Sequence, residues 1–445
     1  MSERPPAAAD RASPLGADEF AGLLDRLGPF ERQPRLAVAV SGGPDSMALA
    51  RLARDWVLAR DGTLLALIVD HRLRPKSSAE CAEVAEWLPR RGVASRILTW
   101  SGDQPVTGVQ AAARGARYAL LEAACRDQRI LHLLVAHHFA DQAETVALRA
   151  ARGSGGSGLA GMAAVREVRG LRLLRPLLAV PKARLIATLD REGWPWLVDP
   201  SNAEPRFARA RLRLADDFAT DALWHRSREH ALARSAVDGW LAAWLARNAR
   251  PHAQGFVRLD AAAWLALGRD RRALVLGRTV QAVSGRPYPP SGTATARMAD
   301  GAGGAQRSLG GCLVRPARGA LLVLREPGRI RDRLTLGPGE EGWWDGRFLV
   351  RHAPGQPAVE LAALSADGVR ALPGTLKQKL REAGVLALAL ASVPAARVAG
   401  ELVACPTLDT YGFVPRSGFS ITVELRPAQP LAGPPFAGVN VVSKP

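Results

Sequence analysis

Cysteine is scarce. The 445 residues hold four, Cys81, Cys125, Cys312 and Cys405, all far apart. With no Cys-x-x-Cys pair, the pattern argues against a zinc or iron–sulfur centre and against a disulfide framework. Four buried or incidental thiols suit a reducing compartment, so a cytoplasmic location is expected. Long apolar runs are missing too: none reaches the ~18 uninterrupted residues of a membrane span. The 47% hydrophobic content nevertheless supports proper cores. Residues 1–15 are polar and rich in Pro and Ala, without the charged-then-apolar order of a signal peptide. Residues 1–18 are therefore expected to form a disordered lead-in. Lysine occurs only at 76, 182, 377, 379 and 444, so arginine carries the net charge of +18. Such a charge favours a polyanionic partner, and planar guanidinium groups suit phosphate. A GC-rich genome is the competing source of part of that bias. Internal repeats are absent.

What is present starts with an apolar β-like run, Leu36 to Val40, which stops at Ser41-Gly42-Gly43-Pro44-Asp45-Ser46. A helical pattern begins at once, with Leu49, Leu52, Ala53 and Trp56 on one face. A strand–loop–helix unit of this kind aims backbone N–H groups and a positive helix end at one spot, which suits a phosphate. Two glycines let the main chain approach an anion, and the serine hydroxyls add donors. No Gly-Lys-Ser/Thr follows, so the loop is not a Walker A motif. The plain alternative is an ordinary turn with Asp45 or Ser46 as N-cap.

Strands and helices then alternate. Strands are expected at 64–69, 95–98 and 131–136, and helices at 79–91 and 110–128. This implies an α/β fold with a doubly wound parallel sheet. Ligands of such sheets sit beyond the carboxyl ends of the strands. The glycine loop, Asp70-His71 and His137-His138 all fall at that edge. Asp70-His71 reads equally as the start of a turn. Asp141 and Glu144, three apart at a helix start, read as a capping box, or as a site for magnesium or acid–base chemistry. Arg114, Arg117 and Tyr118 share a helix face, either as a solvated stripe or as a clamp for phosphates.

Residues 149–162, rich in Gly and Ser, read as a flexible linker or as a mobile loop closing over a nucleotide. A strand at 171–178 and a helix at 182–192 follow. Asp199-Pro200-Ser201-Asn202 is a turn signal, and Arg209, Arg211 and Arg213 alternate beyond it. From 222 to 284 the pattern is helical, with Trp240, Trp244 and Trp264 as core. β-like runs recur at 312–314, 321–324 and 348–350, and a helix is expected at 375–383. The expected domains are 19–218 (catalytic), 219–328 (mainly helical) and 329–426 (small α+β). Residues 427–445 form a Pro/Gly-rich tail with no evident core.

The loop Ser41 to Ser46 resembles the PP-loop of the N-type ATP pyrophosphatases, also described as adenine-nucleotide α-hydrolase-like. Further segments narrow the resemblance. They are Val-Asp-His-Arg-Leu-Arg-Pro-Lys-Ser (69–77), Ala-Arg-Gly-Ala-Arg-Tyr (113–118) and Ala-His-His-Phe-Ala-Asp-Gln-Ala-Glu-Thr (136–145). Arg-Gly-Ser-Gly-Gly-Ser-Gly-Leu-Ala-Gly-Met (152–162), Arg-Pro-Leu-Leu (175–178) and Asp-Pro-Ser-Asn (199–202) complete the set. Together they resemble the tRNA(Ile)-lysidine synthase family, closely over about 36–215 and more weakly at 308–312 and 344–348.

The resemblance implies an ATP-dependent ligase. ATP with Mg2+ adenylates the oxygen at carbon 2 of the wobble cytidine of an isoleucine tRNA with a CAU anticodon. Free L-lysine then displaces AMP to give lysidine, which pairs with A. The implied catalytic residues are Asp45, His137, Asp141, Glu144 and Arg114. ATP falls to Ser41, Gly42, Gly43, Pro44, Asp45, Ser46, Asp70 and His71, and the metal to Asp45 and Asp141. Arg117, Arg209 and Arg211 are implied for tRNA or adenylate, both outer domains for tRNA binding, and a homodimer is one expected assembly. The alternatives are another PP-loop tRNA-modifying enzyme, such as a 2-thiolase, and a non-catalytic RNA-binding relic. Two departures stand out: Ala210 where the family commonly has asparagine between two arginines, and an alanine-rich stretch at 386–399.

Overall fold

The computed structural model describes residues 13–72, 76–101, 109–168, 170–198, 217–301, 305–416 and 418–438. The chain divides into two compact units, residues 1–238 with 435–445, and residues 239–434.

The first unit is built on strands β1 (Arg35–Val40), β2 (Thr63–Asp70), β3 (Ala94–Thr99), β4 (His132–Leu134), β5 (Val165–Val168) and β6 (Leu171–Leu174). Their order is β3-β2-β1-β4-β6-β5. β1, β2, β3, β4 and β6 pair in parallel, and β5 closes the edge antiparallel to β6. The winding reverses between β1 and β4, which makes that crevice the topological switch point of the sheet. Helices α1 (Ala17–Asp25), α2 (Pro44–Leu58), α3 (Ser77–Arg90), α4 (Val109–Asp127), α5 (Phe139–Ala151), α6 (Gly156–Leu159) and α7 (Lys182–Glu192) connect and cover it. Helix α8 spans Asp217–Asn248.

Alternation along β1 sends side chains to two layers. Val38 and Val40 join Phe20, Leu24, Met47, Leu49, Leu185 and Trp194 on one face. Ala37 joins Leu67, Leu121, Cys125 and Leu133 on the other. A sheet with both faces covered needs near-continuous apolar strands, and Leu-Leu-Ala-Leu-Ile-Val in β2 supplies one.

In the second unit, the region expected to be mainly helical does contain the helix Arg269–Ser284. It also carries an antiparallel sheet of Ala249–Pro251, Val257–Asp260, Arg307–Leu309, Cys312–Ala317 and Ala320–Arg325. The first two strands are too short to interrupt a helical reading, although Pro251 and Gly255 (φ +76°) mark the turn between them. Trp244 and Trp264 are buried, and Trp240 packs beside them. Two further sheets follow, one through Leu334–Leu336, Val359–Ala363, Pro394–Val398 and Glu401–Ala404, the other through Glu341–Trp344, Phe348–His352 and Ile421–Leu425. Asp345 accepts from both Arg325 and Arg347, and the Arg347 side chain is 0% exposed.

The tail expected to lack a core does have a packed residue. Phe436 is buried against Ala160 and Ala231 of the first unit, with the Arg234 guanidinium 4.3 Å from its ring centre. Ala437 pairs with Val165, and its carbonyl accepts from the Ala164 amide at 2.7 Å. One aromatic in a Pro/Gly-rich segment gives no periodicity, so this docking leaves no pattern in sequence. Among the described residues no helix is long and apolar enough to cross a membrane.

Candidate active site

Helix α2 begins with Gly43 as N-cap and Pro44 in its first turn, and no side chain caps it. The turn alternative with Asp45 or Ser46 as N-cap therefore does not occur. Proline fits because its missing N–H would have no partner there anyway. The amides of Asp45 and Ser46 belong to the first helical turn, where N–H groups have no intrahelical partner. The loop is held by its own hydroxyls. Ser46 Oγ donates to the Gly43 carbonyl at 2.9 Å and accepts from the Ser41 amide at 3.1 Å. The Ser46 hydroxyl, expected as a free donor, is thus spent on loop shape.

The two glycines differ. Gly42 (φ +84°) is enclosed: a Cβ would come 2.7 Å from Leu197 Cδ1 and 2.8 Å from Val84 Cγ2. Its carbonyl accepts from the Leu197 amide at 2.8 Å. A Cβ on Gly43 would meet only Ser41 Oγ, at 3.7 Å. Packing demands the first glycine and leaves open space at the second.

The segment between β4 and α5 carries two histidines to the switch point. His138 is the N-cap of α5: its Nδ1 accepts from the Ala140 amide at 3.3 Å, and Asp141 Oδ2 accepts from the His138 amide at 3.0 Å. The capping box is His138 with Asp141, not Asp141 with Glu144. With Nδ1 accepting, the neutral ring carries its proton on Nε2, which lies 3.6 Å from both Asp45 Oδ2 and Asp141 Oδ2. Lys182 Nζ is 3.6 Å from the same Asp45 oxygen. Asp45 Oδ1 is buried without a hydrogen-bond partner among the described residues. Glu144 is buried one helical turn beyond Asp141.

His137 belongs to a different set. Burial, and then the charge of Arg175, pushes its pKa down to about 3, against the pull of Asp141. Arg114 and Arg117 push the same way. Both guanidinium groups lie over Tyr118, at 5.1 and 5.6 Å from the ring centre. Burial lowers the Arg175 pKa to about 10, and the Tyr118 side chain opposes the change. Arg175 holds the chain before β5 through the carbonyl of Ala163 at 2.7 Å.

Asp70, at the end of β2, accepts from Ser78 Oγ (2.6 Å), Ser77 Oγ (2.8 Å) and the Arg72 amide (2.9 Å). Burial raises its pKa, and these donors outweigh burial to hold it below the usual carboxylate range. Asp70 therefore ties the end of β2 to the first turn of α3. Burial, then Arg117, lowers the pKa of His71, which stands edge-on to Trp100 at 6.3 Å. Arg209 and Arg211 lie outside the described residues. The Gly/Ser segment is a tethered turn around α6. Arg149 donates to the carbonyls of Gly158 and Gly161, and Gln142 binds the Met162 backbone from both ends of its amide.

The structure thus brings Asp45 of the PP-loop, His138 and Asp141 together, and gathers Arg114 and Arg117 over Tyr118, with both charges felt at His137. The sequence marks His138 only as half of a His-His pair at the strand edge, and gives Arg175, Gln142 and Lys182 no role. Arg175 and Gln142 were legible only as members of longer strings. Lys182 carried one signal, a lysine opening a helix in a chain that otherwise uses arginine.

Among the described residues, no three His, Cys, Asp or Glu side chains converge as a metal cage. Magnesium takes one or two carboxylates and completes its shell with water and substrate phosphates. Asp45, with its unpartnered buried oxygen, and Asp141 fit that requirement. The thiols are poorly suited to sulfur chemistry: burial raises Cys81 to about 11 and Cys125, Cys312 and Cys405 to about 12.

A glycine loop opening an uncapped helix at the switch point of a parallel sheet, faced by acidic and cationic side chains, defines a PP-loop ATP-binding domain. A family model described as a PP-loop domain matches residues 17–215. Curated relatives agree. A tRNA(Ile)-lysidine synthase of Methylobacterium nodulans is 42% identical over 72% of this chain and 98% of its own length. One from Methylobacterium sp. (strain 4-46) is 41% identical over 73% and 98%, and one from Caulobacter vibrioides 35% identical over 78% and 81%. The chain belongs to the tRNA(Ile)-lysidine synthase family.

Proposed function

We propose that this chain joins L-lysine to carbon 2 of the wobble cytidine in an isoleucine tRNA with a CAU anticodon. ATP is consumed to AMP and pyrophosphate. The supporting observation is the electrostatic setting of two adjacent histidines. His138 Nε2 lies 3.6 Å from both Asp45 and Asp141, while burial and the charges of Arg175, Arg114 and Arg117 outweigh that of Asp141 at His137.

The acidic and the cationic side chains suit different reactants. The uncapped α2 terminus and its loop amides take the phosphates of ATP. Arg114 and Arg117, aligned over Tyr118, take the RNA backbone or the adenylate phosphate. The cytidine carbonyl oxygen attacks the α-phosphorus, and the α–β bridging oxygen leaves with pyrophosphate. The wobble base leaves the anticodon stack to reach the pocket. The lysine amine then attacks carbon 2, and the carbon–oxygen bond breaks to release AMP. Asp141 and Glu144 hold the cationic amino acid on the acidic side, while Asp45 and Asp141 hold Mg2+, which when bound offsets phosphate charge. His137, with a pKa of about 3, is too weak a base to collect the amine proton at neutral pH. Its role in this reading is that of a neutral hydrogen-bonding partner. In the same reading residues 219–328 and 329–426 grip the tRNA body.

The test is transfer of radiolabelled lysine to an unmodified transcript of that tRNA, with the label mapped. ATP-dependent label on the wobble cytidine is expected. Pyrophosphate release driven by ammonia or a sulfur donor, with no lysine incorporated, would overturn the assignment.

A further inference from the structure

Helices α2 and α7 lie side by side and run in the same direction. At one end Lys182 meets Asp45, and further along Arg51 forms a doubly hydrogen-bonded pair with Glu192. Leu185, Thr188 and Leu189 bury the inner face of α7, and the Thr188 hydroxyl accepts from the Leu15 amide at 2.9 Å. Arg184 is engaged with Glu19. The α7 terminus is therefore fixed, and its positive end points where the positive end of α2 points.

Lysine is badly placed there on stability grounds. Cations favour helix C-termini, and a helix N-terminus favours anions. The first turn of α7 nevertheless contains no acid and opens with Lys182, with Pro181 as N-cap and no side-chain cap. Its partner among the described residues, Asp45, is shared with His138. The Lys182 side chain is 42% exposed, and its ammonium lies 3.6 Å from the carboxylate in the first turn of α2. A local rule broken at a fixed position, with no compensating packing, points to a ligand that completes the charge balance. An anion between two positive helix ends does so. The residue type matters as well: a compact ammonium on a flexible stem can swing from a carboxylate to a phosphate, which a planar guanidinium committed to two contacts does less readily.

We infer that Lys182 is a phosphate-binding residue of the adenylation step. It faces Asp45 at 3.6 Å and engages the β- and γ-phosphates when ATP binds. The inference rests on the reading of the site given above and deepens it. When the bond between the α-phosphorus and its bridging oxygen breaks, the electron pair departs on pyrophosphate, and the ammonium meets that growing charge without giving up its proton. Lys182 has no part in holding the amino-acid substrate.

The experiment compares wild type, Lys182→Ala and Lys182→Arg by titration with a non-hydrolysable ATP analogue, pyrophosphate and AMP. Lys182→Ala is expected to weaken the analogue and pyrophosphate at least tenfold and to leave AMP unchanged, with Lys182→Arg intermediate. Single-turnover pyrophosphate release should slow on the order of a hundredfold, the size of one lost electrostatic contact. The KM for lysine should not move. Equal losses for AMP and the analogue, no loss at all, or a raised KM for lysine would each overturn the inference. An altered melting curve in Lys182→Ala shifts the decision to Lys182→Arg, judged by the same ratio of analogue to AMP affinity. Because the titrations contain neither tRNA nor lysine, they stand even if the proposed lysine transfer fails.

Discussion

The Asp45 carboxylate lies 3.6 Å from Nε2 of His138, across the crevice between the first and fourth strands of the sheet. The two residues are far apart in sequence, yet this pair ties the phosphate loop to the helix that carries Asp141. The same imidazole nitrogen also faces Asp141 at 3.6 Å. One imidazole edge thus stands close to two carboxylates without a hydrogen bond to either, and places both acidic groups beside the phosphate loop.

Asp45→Asn is nearly isosteric and keeps a hydrogen-bonding group, so the fold should be unaffected. It removes the charge that faces both His138 and Lys182. Pyrophosphate release in the presence of tRNA should fall by about 10²–10³, the range for loss of one preorganised electrostatic group. A variant of wild-type rate would remove Asp45 from the chemistry.

His137 gives a pH prediction. Its folded pKa is lowered to about 3, below the ordinary value of 6.5. The unfolded chain therefore binds the extra proton first, and stability is lost as pH falls from about 6.5 toward 3, by at most ~1.4 kcal/mol per pH unit from this single group. Above pH 6.5 the residue contributes no slope. His137→Asn should flatten the acid limb of a denaturation-midpoint-versus-pH curve. An unchanged limb would show that His137 does not remain buried and neutral.

Asp345 is the counter-charge for two guanidinium groups in the second unit, and the Arg347 side chain is wholly buried. Asp345→Ala leaves both without it and should cost about 3–5 kcal/mol in chemical denaturation. Arg347→Met, which removes one of the buried charges, should cost less. The reverse order would mean that this network is not held by charge.

Much of the catalytic unit was legible in sequence. The strand runs are continuous and apolar, the helices amphipathic, and the turn residues unambiguous, so local preference and final structure agree. Four things were not legible. Which histidine of a pair faces which wall depends on strand register and on the helix cap, and adjacent residues at a strand end point in opposite directions. The hydroxyl of Ser46 reads as a ligand donor until the loop closes on itself. Short strands such as Val257–Asp260 carry too few residues for periodicity, and Phe436 docks without neighbours that would announce it.

The two glycines of the loop test the central claim, that this crevice binds ATP through backbone approach at the end of the first strand. Gly42→Ala forces a side chain into the left-handed region and against Leu197 and Val84, and should cost about 1–3 kcal/mol of stability. Gly43→Ala meets nothing closer than 3.7 Å, so the fold should persist. The decisive measurement is calorimetric titration of a non-hydrolysable ATP analogue into wild type and Gly43→Ala, with melting curves as control. One equivalent bound by wild type, and binding lost in a variant that melts normally, is the predicted result. Equal binding by both, or none by wild type, would contradict the account.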